Sequence, residues 1–213
     1  MTSRNTPDKT LSPTIPISSE EFAGFMCSAE PFKTDGPLVV AVSGGADSLG
    51  LLSLLTGWAG AKSVSLIALT VDHGLRPESG DEAALVGRWC AEMGVPHDIL
   101  CWMGDKPVRG IQEAARRARY ALLEDWCVRH GASDLLVAHT ENDQAETFLF
   151  RMSRGSGPDG LAAMPLVSCR GGIRIVRPLL GVSRARMEAT LRAAGRTWVD
   201  DPGNADRRYT RVR

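Results

Sequence analysis

Residues 43–48, Ser43-Gly44-Gly45-Ala46-Asp47-Ser48, place two hydroxyls, two adjacent glycines and one carboxylate within six positions. Adjacent glycines let a backbone turn until several N–H groups face one point, and the two hydroxyls add donors. Where such a loop opens a helix, the helix N-terminus contributes partial positive charge, and the result is a cradle for phosphate oxygens. The loop lacks the lysine of G-x-x-x-x-G-K-[ST] and the spacing of G-x-G-x-x-G. It carries Asp47 instead. A carboxylate among phosphate donors repels the ligand unless Mg²⁺ bridges the two, so the pattern reads as a metal–pyrophosphate site with Asp47 as the metal ligand. A purely structural alternative stands beside it: a tight strand–helix turn in which Asp47 only complements the helix dipole.

Other residues offer chemistry further along. Asp72 and His73 end a β-branched run, and His73 suits either a catalytic role or a local turn contact. Asp143 and Glu146 are three apart, hence on one side of any helix that carries them, and two carboxylates there suit an ammonium group or simply the helix N-terminus. Arg116, Arg117 and Arg119 step about 100° per residue, so they cannot all point one way. One of Arg116 and Arg117 reaches a phosphate or a nucleic acid in this reading, and the rest form a solvated face.

These residues need a scaffold, and the chain alternates short apolar strands with helices. Strands are predicted at 38–42, 63–71, 99–102 and 135–138. Helices follow the glycine loop to about Trp58 and cover 79–93, 111–130 and 142–152, with Ser79 and Glu82 spaced as a capping box. A pair of short strands near 166–176 and a helix over 183–194 complete the pattern. Strands separated by helices imply parallel βαβ units, so the expected fold is α/β: a doubly wound, mostly parallel sheet with helices on both faces, and ligands beyond the carboxyl ends of the strands. Residues 1–35, rich in Ser, Thr and Pro, read as a mobile arm before a catalytic domain over 36–213.

Composition narrows the class. The 213 residues carry 43% apolar side chains and 5 cysteines. No apolar run approaches the roughly 20 residues of a membrane span, and no secretory signal is visible, which makes the cytoplasm the default. The cysteines show no C-x-x-C and read as buried apolar residues. Net charge is zero, but residues 170–213 hold 11 arginines against 4 acids, while residues 1–169 hold 14 Lys/Arg against 21 Asp/Glu. The basic subregion, 166–213, suits a polyanionic partner.

SGGADS at 43–48 resembles the S-G-G-x-D-S loop of the N-type ATP pyrophosphatases, with their adenine nucleotide alpha hydrolase-like fold. VDHGLRPES at 71–79, IQEAARRARY at 111–120, VAHTENDQAETFLFRMSRGSG at 137–157, GLAAMP at 160–165, RPLLGVSR at 177–184 and WVDDPGNAD at 198–206 resemble the tRNA(Ile)-lysidine synthetase family in order. The resemblance implies a ligase that uses ATP and Mg²⁺ to adenylate the C2 oxygen of the wobble cytidine in a CAU-anticodon isoleucine tRNA. Free L-lysine then displaces AMP.

Carried over by residue, the resemblance implies that Ser43, Gly44, Gly45, Ala46 and Ser48 hold phosphates and Asp47 holds Mg²⁺. Thr70 and Val71 flank adenine; Arg116 or Arg117 reaches a phosphate or the tRNA, with Arg116 taken as the catalytic candidate. Asp143 and Glu146 bind lysine, and Arg154, Gly155 and Gly157 lie near the anticodon. Asp200, Asp201 and Asn204 fall in a block of further substrate contacts. Thr140 stands where the family often has a second histidine, and Thr210 where it has Asn. Family members usually continue into tRNA-gripping domains. Competing readings are a tRNA thiolase, which needs clustered cysteines, a small-molecule amidotransferase, and an ATP-sensing module that releases no pyrophosphate.

Overall fold

The computed structural model describes residues 14–33, 36–155 and 162–199. Its elements run α1 (Ser19–Cys27), β1 (Leu38–Ala41), α2 (Ala46–Lys62), β2 (Leu66–Asp72), α3 (Ser79–Glu92), β3 (His97–Cys101), α4 (Ile111–Arg129), β4 (Asp134–Leu136), α5 (Glu141–Ser153), β5 (Val167–Arg170), β6 (Ile173–Val176) and α6 (Arg184–Ala193).

The strands form one six-stranded sheet in the order β3-β2-β1-β4-β6-β5. β1 pairs in parallel with β2 (Val39 opposite Ile67) and with β4 (Val39 opposite Leu135), and β4 pairs in parallel with β6. Among the described residues only the edge strand β5 is antiparallel, joined to β6 through Gly171 and Gly172, both at positive φ. Central strands such as Leu-Val-Val-Ala are apolar throughout because both faces are covered. On one face Leu38 and Val40 meet Leu51, Leu52 and Leu55 of α2, with α1, α3 and α6 alongside. On the other, Val39, Leu69 and Leu135 meet Tyr120, Leu123 and Trp126 of α4. α5 buries no side chain. The chain leaves β1 towards β2, and β4 lies on the other side, so a crevice opens beyond the carboxyl ends of β1 and β4.

Several expectations are corrected. Of the cysteines read as buried, Cys27, Cys101 and Cys169 are exposed. Residues 14–33, read as part of a mobile arm, pack onto the sheet. Ser18 caps α1 by accepting from Glu21 N at 3.1 Å. Phe22 and Met26, four apart on one helix face, are 1% and 0% exposed, each burial being worth about 1.5–3 kcal/mol. Ile17 N donates to Thr190 Oγ1 at 2.9 Å, and Arg186 grips both oxygens of Glu21 at 2.7 Å. At the amino ends of the strands, Arg174 Nη1 donates to buried Asp134 at 2.8 Å, and the same guanidinium holds the carbonyls of Ala29 and Pro31. The expected arm is described only in part, since residues 1–13, 34 and 35 lie outside the described residues.

The Ser79–Glu82 capping box does not form. Glu78 occupies the cap position with helical torsions and no side-chain bond. Glu82 pairs with Arg76 at 2.8 Å, and the Ser79 hydroxyl turns to Asp72. β3 begins at His97, earlier than the apolar pattern marks, because β2 offers backbone partners from Ala68 onward.

Candidate active site

β1 ends at Ala41, and the chain turns through the glycine loop into α2. Gly44 takes φ +88°, and a Cβ there would stand 3.1 Å from Val86 Cγ2, so position 44 is reserved for glycine. Gly45 is the cap residue of α2 with no side chain to bond the first amides. Those N–H groups therefore remain available to a ligand. Ser48 braces the loop: its hydroxyl accepts from Ser43 N at 3.1 Å, donates to Gly45 O at 3.1 Å, and lies 3.2 Å from Ser43 Oγ. With its proton used inside the loop, Ser48 shapes the cradle, and Ser43 is the exposed residue of the pair.

Asp47 sits on the first turn of α2 with Oδ1 buried and without a hydrogen-bond partner. Burial pushes its pKa up to about 6. Arg184 opposes that rise, while Asp143 and Glu188 add to it. An orphaned buried carboxylate oxygen beside free helix amides has the chemistry of a Mg²⁺ ligand whose remaining ligands come from phosphate and water. Among the described residues no three His, Cys, Asp or Glu side chains converge as a self-sufficient metal site.

Across the crevice, β4 runs into α5. Thr140, fully buried, donates its N–H (2.8 Å) and its hydroxyl (3.1 Å) to Asp143 Oδ2, forming a capping box. Position 140 is thus structural here. The N-termini of α5 and α6 are joined, Glu141 N donating to Val182 O at 3.0 Å and Arg184 N to Asn142 Oδ1 at 3.4 Å. Gln144 clamps both the N–H and the carbonyl of Met164, and Arg151 holds Ala163 O.

His139 receives Arg177 Nε at 3.2 Å on Nδ1. Burial holds its pKa well below the ordinary 6.5; Asp143 opposes this, while Arg177, Arg116 and Arg119 reinforce it. Arg116 also stacks over Tyr120 at 5.4 Å.

At the end of β2, the Thr70 hydroxyl donates to Val42 O at 2.9 Å and meets His97 Nε2 at 2.8 Å, so its side chain is occupied within the core. Val71 packs its side chain towards the α4 face; what this pair offers a base is the strand-end backbone. Asp72 is held below the usual carboxylate range, first by the Ser79 hydroxyl and then by Gly74 N at 2.8 Å, against the desolvation that raises it. His73 meets Trp102 edge-on at 6.0 Å and lies 3.4 Å from Arg119 Nε; burial lowers its pKa.

The fold therefore gathers the loop, Asp47, Asp143 and, by its field at His139, Arg116 at one crevice. Glu146 is exposed one turn along α5. Arg154, stacked on Phe150 at 4.3 Å, and Gly155 lie about 16–18 Å from Asp143 along the helix axis. Arg117 is exposed. Gly157, Asp200, Asp201, Asn204 and Thr210 lie outside the described residues. The sequence reading missed Arg177 and Arg184. Both stand in the RPLLGVSR block, but only the β4–β6 pairing and the joined helix ends bring them to the crevice. Two hollows lie away from it: one of about 80 Å³ beside Leu49, Trp89, Leu191 and Arg196, and a groove of about 270 Å³ at Val64, Leu66 and Pro96. Neither contains a loop residue, so the site rests on its chemistry and not on enclosure.

A family profile described as a PP-loop domain matches residues 17–213. Curated relatives called tRNA(Ile)-lysidine synthase are 49% identical over 93% of the chain in Bradyrhizobium sp. strain BTAi1, 47% over 87% in Ruegeria pomeroyi, and 50% over 85% in Rhodopseudomonas palustris. The chain spans about half the length of these relatives: 55%, 44% and 53%. Among solved structures, a U34-tRNA thiolase from Methanococcus maripaludis, with its 4Fe–4S cluster, aligns with TM-score 0.71 at 17% identity, covering 85% of this chain and 65% of that one. The NMN synthetase of Francisella tularensis aligns with TM-score 0.54 at 14% identity over 84% and 70% of the two chains. At these identities the structural likeness speaks to the fold alone.

Proposed function

The chain belongs to the PP-loop domain family, and from that premise we propose that it is the catalytic part of a tRNA(Ile)-lysidine synthetase, adenylating a tRNA base with ATP and ligating lysine to it. The supporting observation is Asp47: a buried, unpartnered carboxylate oxygen with a raised pKa, set among the free N–H groups of a glycine loop. Such a group is poised for a cation that arrives with phosphate. Relatives at 47–50% identity with the printed name tRNA(Ile)-lysidine synthase supply the substrate class.

In the first step the C2 oxygen of the wobble cytidine attacks the α-phosphorus of ATP, the α–β bond breaks, and pyrophosphate leaves. The N–H groups at the start of α2 and the Ser43 hydroxyl bind the leaving β- and γ-phosphates. Asp47 is the residue that would hold Mg²⁺, which would supply charge neutralisation for those oxygens. Arg116 serves the α-phosphate, and the backbone of Thr70 and Val71 borders adenine. In the second step the amine of free L-lysine attacks C2, the C2–O bond to AMP breaks, and the amine proton is lost. Asp143, with Oδ1 free of the capping bonds, and the exposed Glu146 bind the ammonium groups that position lysine. Arg154 and Gly155 meet the anticodon arm. A tRNA substrate of this kind implies work in the cytoplasm.

The thiolase reading finds no clustered thiols among the described residues. Cys90 and Cys127 are buried with pKa pushed up to about 11 and about 12 by burial, and Cys27, Cys101 and Cys169 are exposed. The test is an incubation with Mg²⁺, ATP, radiolabelled lysine and unmodified CAU-anticodon isoleucine tRNA. Label entering this tRNA, but not a variant with the wobble cytidine replaced, is the expected outcome. ATP binding with no incorporation, by this chain and by a version extended to the relatives' length, would overturn the reading.

A further inference from the structure

His139 and Arg177 follow neighbouring strands, His139 three residues past the end of β4 and Arg177 directly after β6. β4 and β6 pair in parallel up to Leu136 opposite Val176, and Val137 N continues the ladder to Val176 O at 3.0 Å. Arg177 is 8% exposed. Its Nε donates to His139 Nδ1, and its Nη1 donates to Pro165 O at 3.1 Å and Ser168 Oγ at 3.0 Å. Arg177 N is itself bonded to Leu166 O at 2.8 Å. The guanidinium is thus fixed from both ends.

A guanidinium has only N–H donors and no acceptor. Whichever imidazole nitrogen faces it must present a lone pair, and here that nitrogen is Nδ1. A neutral imidazole has one N–H, which must then sit on Nε2. Protonating Nδ1 would set two donors nose to nose and a second cation against a buried first one. The groups facing His139 from the surrounding elements are Arg116 and Arg119 of α4, Arg177 after β6, and Asp143 of α5. Three cations outnumber one carboxylate, and that carboxylate already accepts two bonds from Thr140.

We infer that Arg177 is a positioning residue that locks His139 as the Nε2–H tautomer, so that His139 meets the reacting phosphate as a neutral hydrogen-bond donor and not as a general base. With Arg116 and Arg119 beside it, the N–H adds a donor for the negative charge that builds on the α-phosphate oxygens as pyrophosphate leaves. The proton of the attacking amine must then go elsewhere, to solvent or to a carboxylate. This inference rests on the proposed adenylation for its catalytic consequence. The tautomer itself stands on geometry alone.

The deciding experiment is ¹⁵N–¹H correlation NMR of ring-labelled histidine in the whole chain. Only four histidines are present, and His139→Gln identifies the signal. An Nε2–H tautomer that persists as pH falls from 8 to below 6 is expected, with Arg177→Lys, which keeps a donor, retaining it and Arg177→Met mixing the tautomers. An Nδ1–H tautomer, or ordinary titration near 6.5 in the unsubstituted protein, overturns the inference whether or not the variants fold. In the pyrophosphate assay, His139→Ala is expected to lose about 10²-fold or more. His139→Gln, whose amide nitrogen reaches the place of Nε2, should recover at least tenfold of that. If Gln is as poor as Ala and the rate rises through a pKa near 6.5, His139 is the base. Absence of tRNA-dependent pyrophosphate release altogether would count against the proposed function, while the NMR result would still decide the tautomer.

Discussion

Replacing Asp47 by Asn should make the free protein more stable while removing its activity. The carboxyl is shifted from 3.8 to about 6, chiefly by burial. At about 1.4 kcal/mol per unit of pKa, holding it ionised at neutral pH costs the fold up to about 3 kcal/mol. The sign follows from proton binding. Between pH 4 and pH 6 the folded carboxyl keeps its proton while the unfolded one has released it. The folded state is therefore favoured at acid pH, and the advantage is lost as pH rises through about 6. An amide in its place carries no charge and escapes that loss. At pH 7.5, without nucleotide, Asp47→Asn should be about 1–3 kcal/mol more stable, or roughly 2–10 °C in Tm for a chain of this size. The difference between the two proteins should shrink towards zero at pH 4. Adding Mg²⁺ and ATP should reverse the order, because only the carboxylate gains a cation, and pyrophosphate release should fall by about 10²-fold or more in the variant. Differential scanning fluorimetry across pH 4–8, with and without Mg·ATP, measures all of this. A variant that is no more stable at pH 7.5, or a difference that does not change between pH 4 and 6, would refute the reasoning.

Breaking the buried Arg174–Asp134 pair should be costly. Arg174→Met leaves the carboxylate uncompensated and frees the carbonyls of Ala29 and Pro31, so a loss of about 3–5 kcal/mol is expected in urea denaturation. Gly44→Ala forces a side chain into φ +88° and against Val86; ATP affinity by calorimetry should fall, and stability should drop by about 1–3 kcal/mol. Thr140→Ala removes a helix cap and should destabilise by about 1 kcal/mol in the same denaturation assay. Glu146→Gln, exposed and free of structural bonds among the described residues, should leave stability unchanged and raise the KM for lysine while tRNA-dependent pyrophosphate release persists.

The sheet and the loop were legible because their signals are local. Leu-Val-Val-Ala followed by Ser-Gly-Gly-Ala-Asp-Ser sets a buried strand, a phosphate cradle and a helix start within a dozen positions. The packing of residues 14–33 was not legible. Ser, Thr and Pro dominate that stretch, and its anchors Phe22 and Met26 find partners only when α2 and α6 are in place. The Ser79–Glu82 spacing fits a capping box, yet Asp72 and Arg76 compete for both side chains and win. Arg177 and Arg184 carry no local pattern. They reach the crevice because β6 pairs beside β4 and because the first turns of α5 and α6 are bonded together. The Thr70 hydroxyl shows the converse, a residue at the right strand end whose side chain the core has already taken.

The proposed role of the glycine loop is to hold the β- and γ-phosphates so that ATP is cut at the α–β bond in favour of a tRNA. It is tested most directly by following α-³²P-labelled ATP with Mg²⁺ and unmodified CAU-anticodon isoleucine tRNA, first without lysine and then with it. The label is expected to appear on the tRNA when lysine is withheld and to be released as AMP, with equimolar pyrophosphate, when lysine is added. Label appearing as ADP, or as AMP at the same rate with no tRNA present, would contradict the account.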